Sequence, residues 1–589
     1  MMTLTTRWAE AAMCDAPLQE YPRPQMVRDT WLNLNGMFDY AVTDDKAEWV
    51  EKFDGQIRVP FAIESCLSGV CKKITADDRL WYSKKFKLPS DFTGKRTLLH
   101  FGAVDWECNV YINHSFVGSH TGGYCPFTFD ITDVLTDGEN ELTVRVYDPT
   151  DEGWQNRGKQ ASESHGFWYT STSGIWQTVW LEPVEYCHIE KLELTPDIDS
   201  GVIKIKTLTT CECGGKLYAK VKDGETVVFD GEVSADCEIP VPDAKLWSPE
   251  EPFLYDLEMS LDCNGSIDKV TSYFAMRKFS IGEHDGYARL FLNNKPYFQK
   301  GLLDQGYWSD GGLTPPTDEA MIYDIETMKR LGFNMLRKHI KVEPDRWYYH
   351  CDRLGMIVWQ DMVSGGKALN LFHAGVLPNV QGFLSPLVHL TKKDNAYKTF
   401  NRDKIEWRTQ FEDELFEMMD ALYNHPSIGC WVPFNEGWGQ FDAKRIGDAV
   451  KAKDPTRIVD HASGWYDQNG CDLRSIHRYI LPVTAPKYDG RPFVLSEYGG
   501  YSQIIDGHVW NKSKSFGYQM YKSKESMTAA YRKLHEKQVI PAMKKGLSAT
   551  VYTQVSDVEF EVNGMLTYDR EMIKLDEDTV IEINKKLTF

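Results

Sequence analysis

Residues 429–439 have the sequence GCWVPFNEGWG, an apolar run that ends abruptly in Glu436 and a glycine. Residues 492–500, with the sequence PFVLSEYGG, repeat this pattern around Glu497. An apolar run of this length, bounded by glycine, is typical of a β-strand that is buried on both faces. Each glutamate is therefore predicted to stand at the exit of a buried strand, where a carboxylate is desolvated but still reachable.

The region around these two runs alternates apolar strands with amphipathic helices from residue 284 to residue 589. We predict eight strands, at 297–303, 334–339, 356–362, 429–435, 457–463, 474–479, 493–497 and 549–556. Helices are predicted at 318–331, 344–354, 406–423, 441–452 and 525–545, whereas the helices after strands 5 and 6 are poorly defined. This order predicts a closed (β/α)8 TIM barrel, whose active site lies at the carboxyl ends of the strands.

The residues before the barrel show short alternating strands separated by turn residues. Residues 96–101 and 141–146 are examples in the first 184 residues, which are predicted to form a β jelly roll. Residues 202–205 and 226–229 are examples in 185–283, which are predicted to form an immunoglobulin-like β-sandwich. The predicted fold is therefore multidomain, with boundaries at 1–184, 185–283 and 284–589.

Composition excludes several classes of partner. The net charge of −20 argues against nucleic acid and against an anionic membrane surface. No apolar stretch approaches the roughly 20 residues of a membrane span. The first ten residues lack the basic region and apolar core of a secretion signal. The 13 cysteines are odd in number and lack the paired spacing of metal ligands. These features predict a cytoplasmic protein with free thiols.

The two glutamates predict acid, base or nucleophilic chemistry. Either one alone is better explained as a structural or solvated charge. Two in matching strand-end contexts of one barrel favour a catalytic pair, whose environments drive the two pKa values apart. Glycoside hydrolysis requires a pair of this kind. The 13% aromatic content suits stacking on sugar rings, although tryptophan also fills the cores of large β domains.

The chain resembles glycoside hydrolase family 2, which contains β-galactosidases, β-glucuronidases and β-mannosidases. The motifs that resemble the family are YPRPQ (21–25), WLNLNG (31–36), GIWQTVWL (174–181), LWSP (246–249), GFNMLR (332–337), FNE (434–436) and SEYG (496–499). The resemblance implies a retaining exo-glycosidase with a carbohydrate substrate and no cofactor. Some members bind Mg²⁺ or Na⁺, but the sequence shows no convincing ligand cluster. Members are often dimers or tetramers, and the sequence indicates no interface for such a homo-oligomer.

The resemblance assigns roles to the strand-end residues. Glu497 is the expected nucleophile, and Glu436 is the expected general acid and then general base. Tyr479 matches a family tyrosine that hydrogen-bonds the nucleophile, with simple packing as the alternative. Asn435 is expected to bind the sugar 2-hydroxyl, and its alternative role is to cap the strand.

Other strand-end residues are predicted to contact the substrate or support the pair. Arg337 is expected to brace the nucleophile, and His339 either contacts substrate or satisfies a core hydrogen bond. Asp361 either binds a sugar hydroxyl or forms a salt bridge with Arg337 or Lys338. Asp304, after strand 1, is a further candidate for contact with the substrate.

Two departures from the family pattern concern the sugar. Tyr552 on strand 8 stands where the family commonly has tryptophan, so Tyr552 is the predicted aromatic contact and the platform is expected to differ. The β-glucuronidases of the family have an Asn-x-Lys motif after strand 8, which residues 563–566 lack, and this favours a neutral sugar. A β-galactoside is the first expectation because that activity is commonest in the family. β-Glucuronidase, β-mannosidase and α-L-arabinosidase activities are the alternatives.

Two functions of other classes stay open. The first is a carbohydrate-binding protein with an inactive barrel, which the intact Glu436 and Glu497 oppose. The second is an unrelated barrel enzyme, such as an aldolase or a metal-dependent hydrolase. Such an enzyme needs a strand-end lysine or a His/Asp metal cluster, and Lys300 and Lys338 lack the expected surroundings.

Overall fold

The computed structural model describes residues 4–210, 214–366 and 393–589. Its first part is a two-sheet β domain with an apolar core between the sheets. Side chains along Glu107–Ile112 alternate between buried and partly buried positions, as expected for strands that face a core on one side. The larger sheet contains, in spatial order, Gly55–Val59, Gly36–Asp44, Asp78–Phe86, Asn140–Tyr147, Glu107–Ile112 and Ser115–Thr121, and the smaller contains Leu32–Asn33, Val179–Val184, Arg96–Phe101 and Phe127–Asp130.

Short elements complete this jelly roll. Two small strand pairs join Val104–Asp105 to Gly174–Ile175 and Gln160–Ala161 to Tyr169–Thr170. The second pair lies in the segment that reaches towards the barrel. One helical turn and three 3₁₀ turns occupy Ala9–Ala12, Cys66–Ser68, Ser90–Phe92 and Thr132–Val134.

A second β-sandwich follows the jelly roll. Buried side chains recur at every second residue of Tyr255–Cys263, which is the pattern predicted for this region. Its sheets contain Ile189–Asp197, Val202–Thr209 and Asp236–Pro240 on one side, and Thr226–Val233, Lys216–Asp223, Tyr255–Cys263 and Ser266–Phe274 on the other. A three-stranded sheet of Phe279–His284, Tyr287–Leu292 and Lys295–Pro296 then leads to the barrel, and its Phe279 and Leu290 share an apolar cluster with the barrel residues Met335 and Cys430.

Eight parallel strands form the barrel sheet. They are β1 (Gln299–Asp304), β2 (Met335–Lys338), β3 (Ile357–Asp361), β4 (Ile428–Val432), β5 (Ile458–Val459), β6 (Arg474–Arg478), β7 (Phe493–Gly499) and β8 (Leu547–Thr553). The hydrogen-bonded order is β5-β4-β3-β2-β1-β8-β7-β6, with β1 paired to β8. Every residue of β3, β4 and β7 is buried, which explains why these strands are apolar throughout. The predicted multidomain fold is confirmed.

Helices follow most of these strands. They are α1 (Asp318–Arg330), α2 (Asp345–Leu354), α3 (Ile405–Leu422), α4 (Ala443–Lys453), α5 (Lys524–Leu534) and α6 (Glu577–Lys586), and α5 continues through a π-helical turn at His535–Val539 into Ile540–Met543. Within the described residues, no helix follows β5 or β6. The connecting segments 460–473 and 479–492 contain glycine and proline, which disfavour helix and explain why the sequence leaves the helices after strands 5 and 6 poorly defined.

The jelly roll is tied to the carboxyl end of the barrel. The backbone N–H groups of Arg157 and Gly158 donate to the Ser364 carbonyl at 3.1 and 2.9 Å. Nearby, Asn156 donates to the Glu414 carboxylate at 2.9 Å. These contacts bring a jelly-roll segment to the rim where the strand-end residues lie.

None of the described helices is long and apolar enough to cross a membrane. The loops at roughly 363–405 and 500–523 are long and contain glycine and aromatic residues, which predicts that they wall the active site. Phe516 and Tyr518 of the second loop do line the cavity described below. Most of the first loop lies outside the described residues.

Candidate active site

A cavity of about 440 Å³ opens at the carboxyl ends of the barrel strands. Both Glu436 and Glu497 line it, so the two predicted strand-end carboxyls share one site. A volume of this size suits a small ligand. Its aromatic lining comes from both the jelly roll and the barrel, and consists of Phe167, Trp168, Trp438, Trp465, Tyr479, Phe516 and Tyr518.

Glu436 follows β4 in an uncommon backbone conformation. Its φ of +51° lies in the left-handed region, which is costly for a residue with a side chain and often marks a functional position. The conformation is held by its backbone N–H, which donates to the Ser463 carbonyl at 3.0 Å. The Trp438 N–H donates to the Asn435 carbonyl, also at 3.0 Å. The side chain of Glu436 stays 27% exposed, at the wall of the cavity.

Glu497 lies on β7 and is 3% exposed. The register of β7 shifts against both of its neighbours near this residue, and such bulges commonly re-aim side chains beside active sites. One carboxylate oxygen accepts a hydrogen bond from Arg337 Nη1 at 3.0 Å. The other accepts a short hydrogen bond from the Tyr479 hydroxyl. The structure thus supplies both donors that were predicted for this carboxylate.

Arg337 organises the floor of the site and is fully buried. Its Nε and Nη2 donate to the two oxygens of Asp361 at 2.9 and 3.0 Å. Nη2 also donates to Asn435 Oδ1 at 2.9 Å, and Nη1 donates to the Ser496 carbonyl at 3.1 Å as well as to Glu497. All five N–H groups of the guanidinium therefore have acceptors, which fixes the orientation of the nucleophile candidate.

His477 lies between the two glutamates. Its Nδ1 is 2.7 Å from Glu436 Oε1, and its Nε2 is 3.2 Å from Ser463 Oγ and 3.6 Å from Glu497 Oε1. We did not predict His477 as a site residue. The period of two along β6 could have identified it, because this period places His477 on the same face as Tyr479.

The separation of the two carboxyl groups bears on stereochemistry. One oxygen of Glu436, one oxygen of Glu497 and a ring nitrogen of His477 all lie within 4.8 Å of one another. Pairs in retaining glycosidases stand about 5–5.5 Å apart, against about 6.5–9.5 Å in inverting ones. An oxygen of each carboxyl group within 4.8 Å is compatible with the shorter, retaining range. The same three groups could offer atoms to a metal ion, but hydrogen bonds within the site already engage them.

The two glutamates have opposite pKa shifts. Burial raises the pKa of Glu436 above its usual value and outweighs the hydrogen bond from His477. Burial acts on Glu497 in the same direction, but the neighbouring imidazole and guanidinium groups lower the pKa of Glu497 to about 2. The site therefore holds one carboxyl that favours its protonated form beside one that favours its ionised form.

His339 and Asn435 also line the cavity. His339 Nδ1 is 2.8 Å from Asp361, and burial lowers the pKa of His339, which favours a neutral imidazole. His339 thus makes a core hydrogen bond and also lines the cavity, and its contact with substrate stays a prediction. Because Arg337 holds the Asn435 carbonyl oxygen, the amide NH₂ of Asn435 is left to donate elsewhere.

Three predicted substrate contacts do not line the cavity. Asp361 is 1% exposed and paired with Arg337, as in the salt-bridge alternative. Asp304 accepts from Lys338 Nζ at 2.7 Å and is 4% exposed. Tyr552 is 1% exposed, and its hydroxyl accepts from a backbone N–H. These three residues support the barrel rim, so their assignment as direct contacts is corrected.

The aromatic wall is built differently from the prediction. Tyr479 stacks on Tyr518 with ring centroids 3.9 Å apart and an interplanar angle of 7°. Trp168 of the jelly roll meets Trp438 edge to face, with centroids 4.9 Å apart. The aromatic lining of the cavity thus comes from loops of the barrel and from the jelly roll, and Tyr552 does not contribute to it.

Family models cover most of the chain. Residues 24–183 match the model described as "Glycosyl hydrolases family 2, sugar binding domain". Residues 187–277 match "Glycosyl hydrolases family 2". Residues 284–575 match "Glycosyl hydrolases family 2, TIM barrel domain".

Known proteins give a consistent comparison. A β-galactosidase from Halalkalibacterium halodurans is 26% identical over 438 residues, which are 71% of this chain and 40% of that protein, so the chain spans well under half of that relative's length. The structure of a β-D-glucuronidase from Dictyoglomus thermophilum has a TM-score of 0.74 at 17% identity, covering 96% of this chain and 99% of that chain. A β-galacturonidase from Eisenbergiella tayi has a TM-score of 0.72 at 19% identity, covering 96% and 98%. The chain belongs to glycosyl hydrolases family 2.

Proposed function

We propose that this chain is a retaining exo-β-glycosidase that removes terminal non-reducing sugars by double displacement. The observation that supports this most strongly is the pairing of Glu436 and Glu497 in one cavity. Their oxygens lie within 4.8 Å, and their pKa shifts are opposite. This combination provides an acid and a nucleophile for the same anomeric carbon.

In the first step, a carboxylate oxygen of Glu497 attacks the anomeric carbon. The bond from that carbon to the leaving-group oxygen breaks, and Glu436 transfers its proton to this oxygen. Arg337 and Tyr479 hold the attacking carboxylate by hydrogen bonds, which keeps it ionised and oriented. The product is a covalent glycosyl-enzyme ester and a free alcohol.

In the second step, water attacks the same carbon from the side that the leaving group left. Glu436, now ionised, takes a proton from the water, and the ester bond to Glu497 breaks. Because Glu497 carries no charge in the ester, its repulsive effect on Glu436 is absent, and the pKa of Glu436 falls. That fall suits the change of Glu436 from acid to base.

Similarity to known proteins and the residues that line the cavity both bear on which sugar is the substrate. Similarity to the curated relative described above, a β-galactosidase, favours a β-galactoside. The lining of the cavity favours an acidic sugar, because Lys159 places a cation in it. β-Mannosides and α-L-arabinosides complete a panel of nitrophenyl glycosides, and release of nitrophenol is the readout. If none of them is turned over while a sugar still binds, the carbohydrate-binding alternative replaces this proposal.

The pH profile should reflect the two carboxyl groups. The free enzyme needs ionised Glu497 and protonated Glu436, so kcat/KM should fall as pH rises through the raised pKa of Glu436. His477→Phe removes the hydrogen bond that lowers this pKa. We therefore expect the falling limb to move to higher pH in His477→Phe, as measured by kcat/KM across the pH range.

A matched control for that profile is His114→Phe, which replaces an exposed histidine of the jelly roll. Its falling limb should coincide with that of the wild type. A limb that moves to lower pH in His477→Phe, or that does not move, would remove Glu436 as the titrating acid.

A further inference from the structure

Lys159 belongs to the jelly roll, yet it lines the catalytic cavity. Within the described residues, its Nζ has no hydrogen-bond or ion-pair partner. The Nζ approaches the rings of Phe167 and Tyr169, whose centroids are 5.9 and 5.8 Å away. These distances are near the outer limit of about 6 Å for a cation–π contact. A half-buried ammonium in this position is therefore available to a ligand.

The backbone holds Lys159 in place. Its carbonyl accepts from the Tyr169 N–H at 2.9 Å, and the preceding Gly158 donates to the Ser364 carbonyl of the barrel at 2.9 Å. Gly158 has a φ of +63°, and a Cβ there would lie 2.8 Å from the Ile340 carbonyl oxygen. The close contact between Gly158 and the barrel backbone therefore requires glycine. This contact places the next residue, Lys159, at the rim of the cavity before any ligand binds.

A second cation lies in the same cavity. Arg478 lines it, is 8% exposed and donates from Nη1 to the His477 carbonyl at 2.8 Å. Burial lowers the pKa of Arg478 to about 10, which still leaves the guanidinium charged at neutral pH. Lys159 and Arg478 are therefore both positive groups of the cavity wall, and Arg337 is paired with Asp361 and Glu497.

Among the described residues that line the cavity, Glu561 is the third carboxylate, and it does not pair with Lys159. One of its oxygens accepts from the Tyr169 hydroxyl, and the other accepts from Asn563 Nδ2 at 2.9 Å. Both oxygens are thus engaged by neutral donors. A negative group on the ligand is the partner that Lys159 lacks.

We propose that Lys159 binds an anionic oxygen group on the terminal sugar, a carboxylate or a sulfate ester, so that acidic sugars are preferred to neutral ones. This inference rests on the proposed glycosidase function. It replaces the expectation of a neutral sugar, which considered only the barrel residues after strand 8. The cation comes instead from another domain.

The catalytic pair gives this proposal a further physical basis. The charge of Lys159 lowers the pKa of both Glu436 and Glu497. For Glu436 this effect opposes its role as an acid. An anion bound to Lys159 would cancel the effect, so that the pKa of Glu436 rises when an acidic substrate occupies the site.

Matched substrates test the proposal. Two matched pairs of nitrophenyl glycosides are used, the β-galacturonide with the β-galactoside and the β-glucuronide with the β-glucoside. A 6-sulfated β-galactoside is added to distinguish binding of a sulfate ester from binding of a carboxylate. The wild type should turn over an acidic member with the higher kcat/KM. Lys159→Gln should lower the ratio of kcat/KM on that member to kcat/KM on its neutral counterpart by about 30-fold or more, whereas Lys159→Arg should retain most of this ratio. Lys52→Met replaces an exposed lysine of the same domain as a control.

Two results would overturn the proposal. One is a wild type that prefers the neutral member of each pair. The other is a Lys159→Gln variant with an unchanged ratio of acidic to neutral turnover. Either would show that the ammonium does not select an anion.

Binding separates this inference from the catalytic proposal. Free galacturonate and galactose are titrated into wild type and Lys159→Gln by calorimetry, at low and high salt. Galacturonate binding that weakens with salt and in Lys159→Gln supports the anion site even if no glycoside is hydrolysed. Hydrolysis of neutral glycosides without galacturonate binding supports the glycosidase function and rejects the anion site.

Discussion

Glu497→Gly should abolish hydrolysis, and added azide should restore part of the turnover. The carboxylate that attacks the anomeric carbon is removed, and we expect a loss of about 10⁴-fold or more in kcat. Azide is small enough to enter the space that the side chain leaves. It attacks from the side of the missing carboxylate, so the product is a glycosyl azide of inverted anomeric configuration. Mass spectrometry and NMR of the product provide the measurement.

Two controls make this result specific. The wild type with azide should yield no glycosyl azide of that configuration, because Glu497 occupies the position. Circular dichroism should show that Glu497→Gly is folded, since the variant leaves one donor of the buried Arg337 without an acceptor. A folded variant that yields no such azide under these conditions would contradict the nucleophile assignment.

Glu436→Ala should separate substrates by their leaving groups. A natural sugar alcohol leaves only with a proton, so its kcat/KM should fall by about 10²–10⁴-fold. A dinitrophenolate leaves without protonation, so the first step with the dinitrophenyl glycoside should be far less affected. Steady-state kinetics on a series of aryl glycosides with increasing leaving-group pKa measures the difference. The slope of rate against leaving-group pKa should steepen in the variant.

The isosteric change Glu436→Gln is the matched variant. It keeps the shape of the side chain at a residue whose φ is +51°, and it removes only the transferable proton. The same dependence on leaving group is expected in both variants. Equal losses on good and poor leaving groups would remove Glu436 as the acid and would indicate a structural effect on the loop after β4.

The sequence predicted the barrel strands because their burial makes them apolar throughout. β7 shows this well, since Phe493–Gly499 is buried at every residue. The meeting of Glu436, Glu497, Arg337 and Tyr479 followed from topology, because parallel strands deliver their carboxyl ends to one rim. The hydrogen bonds of Arg337 and Tyr479 to Glu497 were likewise expected from the motifs.

Other features depend on contacts that no local pattern encodes. Lys159 and Trp168 belong to the jelly roll, and only the packing of that domain on the barrel brings them to the cavity. Tyr552 was misplaced because strand period gives a face but not a depth, and the residue turns out 1% exposed. β5 is far shorter than predicted, since after Val459 the chain pairs with the β4 segment only through an isolated bridge between Ser463 and Asn435.

The stereochemistry of hydrolysis tests the central claim most directly. Proton NMR of an early time point shows which anomer of the released sugar forms first, before mutarotation mixes the two. Two displacements at one carbon by Glu497 and then water predict that the β-anomer appears first from a β-glycoside. If the α-anomer appears first, the reaction is a single displacement, and Glu436 and Glu497 do not act as the acid and nucleophile of a retaining enzyme.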